Sequence, residues 1–227
     1  MRLAHIALVA VVIGLFSLSA QAENDEPFGV ATVPAPQSRY AADWRKAQDN
    51  WTVERGILDR CRAERERCPS RPALQFLTVI DQARLQTGRA RIGYVNRAIN
   101  LAIRPMGNFN NYGVSEKWKA PLATLATGAG NCTDYAIAKY FALGEVGIPS
   151  SDRRLVVVSV KSLGQEHAVV AVREEQHWLI LDSRSLAIVD AADTAQYVPL
   201  FVFDDCEVRQ VVKSAPHAAR AVCPRSS

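Results

Sequence analysis

Residues 128–140 read GAGNCTDYAIAKY, and this stretch decides which fold we expect. The small, glycine-containing turn ends at Asn131, and apolar residues then recur at helical spacing until Gly147 and Pro149. A glycine followed closely by a proline is the usual end of a helix. The pattern therefore predicts a helix that begins at Cys132, so a cysteine lies at a helix N-terminus.

That position favours Cys132 as a nucleophile. The first turn of a helix carries unsatisfied amide groups and partial positive charge. Both stabilise a thiolate, which is the reactive form of cysteine. The same amides can also bind an oxyanion that develops during acyl transfer. A buried, inert cysteine at the helix start is the alternative that this position alone leaves open.

A cysteine nucleophile needs a base and a group that orients the base. His167 opens the apolar run 168–172, and Asp182 directly follows the apolar run 178–181. Each residue alone is readily explained as a structural histidine or a turn aspartate. Together, a cysteine on a helix followed by a histidine and an aspartate on two successive strands predicts a Cys–His–Asp triad.

Helical patterns come before Cys132 and strand patterns come after its helix. Helices are predicted within residues 38–61, 72–88 and 92–101, and strands within 155–160, 167–172, 178–182, 186–189, 197–203 and 208–212. Helices first and strands later, without βαβ alternation, indicate an α+β fold with an antiparallel sheet.

The segments 118–122, 128–140, 167–169 and 178–182 resemble the bacterial transglutaminase-like cysteine proteases, and the resemblance extends roughly from Ala73 to Val189. It implies a papain-like, transglutaminase-type core and the triad Cys132, His167 and Asp182. The best-known members are periplasmic proteases that cut large surface adhesins and release biofilm cells. The resemblance thus implies a protein substrate, with an adhesin as one candidate, and a regulatory protein of the inner membrane as a further partner.

The residues around the cysteine depart from that family. Members commonly carry acidic residues directly before and after the cysteine and an aspartate next, and these are associated with calcium. Here the three positions are Asn131, Thr133 and Asp134, so one carboxylate remains. Calcium affinity depends on several carboxylate oxygens. We therefore expect a weak calcium site at most, and no required cofactor.

The N-terminus predicts export. Residues 1–22 combine a short positive start, an apolar run at 6–18 and a small-residue cleavage signal that ends at Ala22. That is the pattern of a secretory signal peptide, and the apolar run is shorter than a membrane span needs. An uncleaved anchor is the alternative. We expect a periplasmic or secreted mature chain with no membrane span.

The remaining chain is expected to form one domain. Residues 23–37 contain three prolines and read as an extended, partly disordered leader, and residues 38–227 read as a single peptidase domain. Removing Arg2 with the signal peptide lowers the formal net charge from +4 to +3. Such a small excess, without a basic stripe, argues against a nucleic-acid partner.

Five cysteines fit an oxidising compartment but cannot all pair with one another. They are Cys61, Cys68, Cys132, Cys206 and Cys223. The simplest pairing joins the first two and the last two, and leaves the nucleophile candidate free. Sequence alone does not fix this connectivity.

These observations predict an exported cysteine endopeptidase that works through a thioester. We expect the amide of Cys132 and a donor from the region of Trp118 to stabilise the oxyanion. A transglutaminase or deamidase with the same triad is one alternative, because an amine can resolve a thioester instead of water. A protein-binding module with weakened catalysis is the other.

Overall fold

A computed structural model describes residues 26–106 and 118–213 of the 227-residue chain. The α-helices are α1 (Ala41–Ala63), α2 (Arg71–Arg84), α3 (Gly88–Ala102), α4 (Pro121–Thr127) and α5 (Cys132–Glu145). The strands are β1 (Ala31–Pro34), β2 (Arg104–Pro105), β3 (Ala129–Gly130), β4 (Arg153–Val160), β5 (Gln165–Glu174), β6 (His177–Leu181), β7 (Val189–Asp190), β8 (Tyr197–Phe203) and β9 (Val208–Val212). Within these ranges, every helix is too short or too polar to cross a membrane.

Seven strands form one antiparallel sheet in the order β1-β9-β8-β4-β5-β6-β7. The short strands β2 and β3 form a separate parallel pair. The predicted α+β fold with an antiparallel sheet is therefore confirmed. Most strands lie close to their predicted positions, but the run 186–189 contributes only its last residue to β7.

The central helix α5 fixes where the core lies. All residues from Cys132 to Leu143 are buried, and most of them are apolar, with Asp134 and Lys139 as buried charged residues. It packs on β4 and β5 and is surrounded by α2, α3 and α4. The opposite face of the sheet buries a second apolar cluster that includes Val156, Val169 and Ile180. Because both faces are covered, β4 and β5 each carry a continuous apolar run, at 155–158 and 168–172.

The N-terminal segment is more ordered than its sequence indicates. Glu26 is buried, and its carboxylate oxygens accept hydrogen bonds from Arg154 at 2.9 Å and Arg209 at 2.8 Å. Further on, β1 pairs with β9 at the edge of the sheet, with Ala31 opposite Val212. A strand whose partner is so distant in sequence leaves no local signal. The expected signal peptide lies outside the described residues.

One predicted disulfide joins the end of α1 to the segment before α2. Cys61 and Cys68 are bonded, with their Cα atoms 4.7 Å apart. Cys206 is also disulfide-bonded, whereas Cys223 lies outside the described residues. Cys132 is buried and is not part of a disulfide.

Candidate active site

A capping box fixes the start of α5. The side chain of Asn131 accepts hydrogen bonds from the amides of Thr133 at 3.0 Å and Asp134 at 3.1 Å. In return, Oδ2 of Asp134 accepts a hydrogen bond from the amide of Asn131 at 3.0 Å. This reciprocal pair satisfies donors that a helix start would otherwise leave free. It makes Cys132 the first residue of the helix, and that side chain is 3% exposed.

The turn before Cys132 requires glycine because the backbone passes close to the helix. A Cβ atom at Gly130 would lie 2.8 Å from the Cβ atom of Asp134, a distance that real side chains do not adopt. The amide of Met106 donates to the carbonyl of Gly130 at 3.0 Å and holds the turn from its other side. Together these contacts present Cys132 in one defined position.

The histidine comes from the strand that packs against this helix. His167 lies near the start of β5, opposite Val158 of β4, and is 3% exposed. Its Nε2 atom lies 2.7 Å from Oδ1 of Asp182, and its ring also forms a hydrogen bond with the side chain of Cys132. The structure therefore brings the predicted thiol, imidazole and carboxylate together in one chain of hydrogen bonds.

Several donors converge on Asp182, which directly follows β6. Its Oδ1 accepts a hydrogen bond from the amide of Arg184 at 2.9 Å, and its Oδ2 accepts one from the hydroxyl of Tyr197. The guanidinium of Arg184 lies 3.5 Å from the same Oδ2 atom. The side-chain amide of Asn100 donates to the Asp182 carbonyl at 2.8 Å. Both the carboxylate and its backbone are thus held in place.

These contacts determine the charge of the pair. Burial alone would raise the pKa of Asp182, but the hydrogen bond and charge of His167, with the donors Tyr197 and Arg184, lower that pKa well below its usual range. The carboxylate is therefore ionised and can only accept hydrogen bonds. It follows that Nε2 of His167 carries a hydrogen, which leaves Nδ1 as the nitrogen that can take a proton from the thiol.

The histidine itself is biased toward the protonated form. Burial lowers the pKa of His167, but the hydrogen bonds with Asp182 and Cys132 and the charges of both groups outweigh this effect, so the pKa is raised above 6.5. The same carboxylate, together with burial, raises the pKa of Tyr197 to about 12. Tyr197 therefore stays a hydrogen-bond donor to Asp182 at neutral pH.

A buried lysine lies on the same helix as the thiol. Lys139, two turns after Cys132, is fully buried, and its Nζ atom has no hydrogen-bond partner. Burial lowers the pKa of Lys139 to about 7, and the negative charge of Asp182 opposes this shift. The lysine and the carboxylate thus influence each other's charge without a direct hydrogen bond.

The thiol and the imidazole line a narrow cleft of about 440 Å³. The other lining residues include the apolar Pro105, Val160 and Leu163 and the polar Gln165, Glu166 and Arg184. Glu166 is held by a 2.6 Å hydrogen bond from the hydroxyl of Tyr40. The cleft therefore combines apolar walls with fixed polar groups beside the thiol, as small-molecule and peptide sites commonly do.

Trp118 lies in the aromatic core. It is 4% exposed, and its ring centroid lies 5.4 Å from that of Phe203 and 5.9 Å from that of Tyr40. The predicted contribution of this region to the oxyanion site stays a prediction.

The three candidate calcium ligands lie together at the start of α5, but their oxygens do not fit calcium. The acceptor oxygen of Asn131 and the carboxylate of Asp134 are engaged in the capping box, and Nζ of Lys119 lies 3.1 Å from Oδ2 of Asp134. Of these three residues, Thr133 is the one whose side-chain oxygen is buried without a hydrogen-bond partner. Calcium binds six to eight oxygens with several carboxylates. A single carboxylate that is paired with an ammonium group does not meet that requirement.

The sequence reasoning missed the residues that hold Asp182 and Asp134. Arg184 had a usable signal, because an aspartate whose carboxylate accepts the amide two residues later forms a common turn. Tyr197, Asn100 and Lys119 had none, since each reaches its carboxylate through the packing of segments that are distant in sequence.

A reduced cysteine at the start of a buried helix, beside a histidine–aspartate pair on an antiparallel sheet, is the arrangement of papain-like cysteine peptidases. The sequence matches the bacterial transglutaminase-like cysteine proteinase (BTLCP) family over residues 50–202. The chain therefore belongs to this family and is a cysteine peptidase. No curated protein sequence matches it significantly.

Solved structures of one bacterial protein are similar to the chain. Legionella pneumophila LapG is 24% identical, with a TM-score of 0.58 over 70% of this chain and 87% of that one. Its calcium-bound form is 25% identical, with a TM-score of 0.57 over 66% of this chain and 83% of that one. Its EGTA-treated form is 24% identical, with a TM-score of 0.58 over 70% and 85% of the two chains. These likenesses establish the shared fold.

Proposed function

We propose that this protein is an exported cysteine endopeptidase that cleaves a periplasmic or cell-surface protein. The observation that carries the proposal is the hydrogen-bonded chain from the Cys132 thiol through His167 to Asp182, with the thiol and the imidazole lining a narrow cleft. A nucleophile, a base and an orienting group within hydrogen-bond reach are what covalent catalysis by a thiol requires.

In the first half of the reaction, the Cys132 thiol transfers its proton to Nδ1 of His167 and the sulfur attacks the peptide carbonyl carbon. The new C–S bond gives a tetrahedral intermediate whose oxyanion can accept hydrogen bonds from amides at the start of α5. When the C–N bond breaks, the imidazolium returns its proton to the leaving amine. A thioester then links the N-terminal part of the substrate to Cys132.

In the second half, water replaces the amine. His167 accepts a proton from water, whose oxygen attacks the thioester carbon. Breaking the C–S bond releases a carboxylic acid and regenerates the thiol with the proton from His167. Throughout both halves, Asp182 holds the ring orientation and stabilises the imidazolium while staying ionised.

Export and the substrate class rest on sequence observations and on the family. The N-terminal pattern of residues 1–22 supports a signal peptide, with residues 23–227 as the mature chain. The disulfide between Cys61 and Cys68 supports an oxidising compartment. We extend the proposal to a surface adhesin as substrate, and to an inner-membrane protein as regulator, because the resemblance implies both.

An acyl transferase is the second candidate, because its thioester intermediate is the same. In a transglutaminase an amine resolves the thioester, and in a deamidase water resolves a thioester that formed on a glutamine side chain.

The test is to incubate the purified mature chain with surface proteins from the same bacterium and to analyse the products by mass spectrometry. Proteolysis gives new chain termini. Isopeptide bonds, or glutamine changed to glutamate, would instead support the acyl transferase. Absence of every product, together with no labelling of Cys132 by a thiol-directed peptide probe, would identify a non-catalytic binding module.

The matched variant is Cys132→Ala. It should lower turnover on the order of 10⁴-fold or more, because removal of a nucleophile leaves only binding and electrostatic contributions. Its melting temperature should stay close to that of the wild type, since the thiol is small. Cleavage by this variant at the wild-type rate would disprove the assigned nucleophile.

A further inference from the structure

The start of α5 carries a second ionic contact beside the proposed nucleophile, between a buried carboxylate and a partly buried lysine. Asp134 is 1% exposed, and its Oδ2 atom lies 3.1 Å from Nζ of Lys119. The amide of Lys119 also approaches Oδ1 of Asp134 at 3.4 Å. The same ammonium donates to the carbonyl of Ala129 at 3.3 Å. One lysine therefore joins the segment before α4, the turn before Cys132 and the first turn of α5.

A positive charge is needed at this position. Asp134 is buried, and its Oδ2 atom faces both the Asn131 amide and the Lys119 ammonium. A buried carboxylate without a partner is strongly destabilising. Since its Oδ2 atom also accepts the Asn131 amide, loss of the countercharge would disturb the capping box that places Cys132.

The ammonium of Lys119 contacts two oxygens, one from a carboxylate and one from a carbonyl. These are the oxygen types that bind calcium in proteins. The solved structures of LapG include a calcium-bound form, whereas in this chain one carboxylate remains beside the nucleophile and it is paired with lysine. The lysine thus supplies a cation where the resemblance implies a metal.

We propose that Lys119 is a built-in cation that replaces calcium at the start of α5, so that the geometry around Cys132 does not depend on calcium. Lys119 is a positioning residue in this role, and it acts through Asp134 and the turn at Ala129. The inference rests on the proposed function only in naming Cys132 as the nucleophile. Its structural part can be tested without any substrate.

The first experiment measures thermal unfolding of the full mature chain in millimolar calcium and in EGTA. The wild type should melt at the same temperature in both. Lys119→Met, which keeps the aliphatic stem and removes the charge, should melt about 4–8 °C lower, since a mostly buried pair is broken. The exposed lysine of α1 provides the matched control Lys46→Met, which should leave melting unchanged.

A second readout follows the rate at which iodoacetamide alkylates Cys132. Lys119→Met should change this rate several-fold, whereas Lys119→Arg, which keeps the charge, should restore both the rate and most of the melting temperature. If Lys119→Met does not fold, Lys119→Arg and the calcium response of the wild type still decide the proposal.

Restoring the acidic residues gives the converse test. Asn131→Asp and Thr133→Glu combined with Lys119→Met should produce a chain whose melting temperature rises with calcium, and the same two changes with Lys119 retained should respond less. Stabilisation of the wild type by calcium, or a Lys119→Met variant that behaves like Lys46→Met, would overturn the proposal. If the wild type had no peptidase activity while the melting temperatures came out as expected, that result would instead count against the proposed function.

Discussion

Two histidine–aspartate pairs lie on this sheet. Their hydrogen bonds are similar, but the two pairs differ in burial and in the residues around them. His167 and Asp182 are 2.7 Å apart, and His177 and Asp190 are 2.8 Å apart. In each pair the histidine lies on one strand and the aspartate lies at the end of the next. The side chains of the first pair are 4% and 11% exposed, and those of the second are 66% and 25% exposed.

The second pair also lines a groove, of about 1060 Å³, but among the described residues no cysteine lines it. Its aspartate has a structural task, because Oδ1 of Asp190 accepts the amide of Ala192 at 3.0 Å and caps a short 3-10 helix. Exposed pairs of this kind gain little from their charges. A histidine–aspartate hydrogen bond therefore does not by itself define an active site, whereas burial and an adjacent thiol distinguish the first pair.

The largest expected difference is between the two histidines. His167→Ala should lower kcat/KM on the order of 10⁴-fold, because base, acid and thiol activation are lost together. His177→Ala should leave kcat/KM unchanged. Steady-state kinetics on a cleaved peptide measure both variants, with circular dichroism as the control for folding. Equal losses in the two variants would remove the distinction between the pairs.

The next largest difference in kcat/KM is expected between substitutions of the two aspartates, Asp182 and Asp190. Asp182→Asn should lower kcat/KM on the order of 10³-fold, because the ring loses the carboxylate that fixes its tautomer and stabilises the imidazolium. Asp182 helps to raise the pKa of His167, so its removal lowers that pKa. The imidazolium is then lost at lower pH, and the alkaline limb of the pH profile should move to lower pH.

Asp190→Asn is the matched control, since asparagine caps a helix as well as aspartate does. Its pH profile should coincide with that of the wild type. An alkaline limb that stays in place in Asp182→Asn would show that Asp182 does not stabilise the imidazolium.

The smallest effect on turnover is expected for substitution of Lys139, the buried lysine that interacts with the charge of Asp182. Burial lowers the pKa of Lys139 from 10.5 in the unfolded chain to about 7 in the folded chain. Between these pH values the unfolded chain binds more protons, so the stability of the wild type rises with pH in that window. Lys139→Met should lack this rise and should be the more stable chain below pH 7.

Denaturant unfolding across that pH range measures the effect on the wild type and on Lys139→Met. An exposed substitution such as Lys46→Met should keep the wild-type slope. Parallel pH curves for the wild type and Lys139→Met would show that Lys139 is charged and solvated in the folded protein.

Local patterns predict the parts of the fold that depend on local contacts. The start of α5 follows from a glycine turn before Cys132, and β4, β5 and β6 follow from runs of apolar, β-branched residues. The edge strand β1 could not be predicted, because its partner β9 lies at the other end of the described chain. Pairing over such a distance is a property of the whole fold.

The same distinction applies to the candidate site. Cys132 begins α5, His167 precedes the apolar run of β5 and Asp182 follows β6, so the sequence indicates all three, and their catalytic roles remain the proposal. Tyr197 lies on β8, and Asp182 follows β6. The two residues meet only because β8 pairs with β4, β4 pairs with β5, and β5 pairs with β6. Lys139 is an ordinary helix former in sequence, and only burial makes it unusual.

The carboxylate of Glu26 has a practical consequence for preparing the enzyme. This residue lies four positions after the expected processing site at Ala22, and it neutralises the buried guanidinium groups of Arg154 and Arg209. Loss of a buried partner of this kind costs about 3–5 kcal/mol. A recombinant chain that starts downstream of Glu26, or an aminopeptidase that trims past it, would remove the carboxylate that pairs with Arg154, whereas Arg209 would keep Asp204 and Glu207. The boundary chosen for expression should therefore stay upstream of this glutamate.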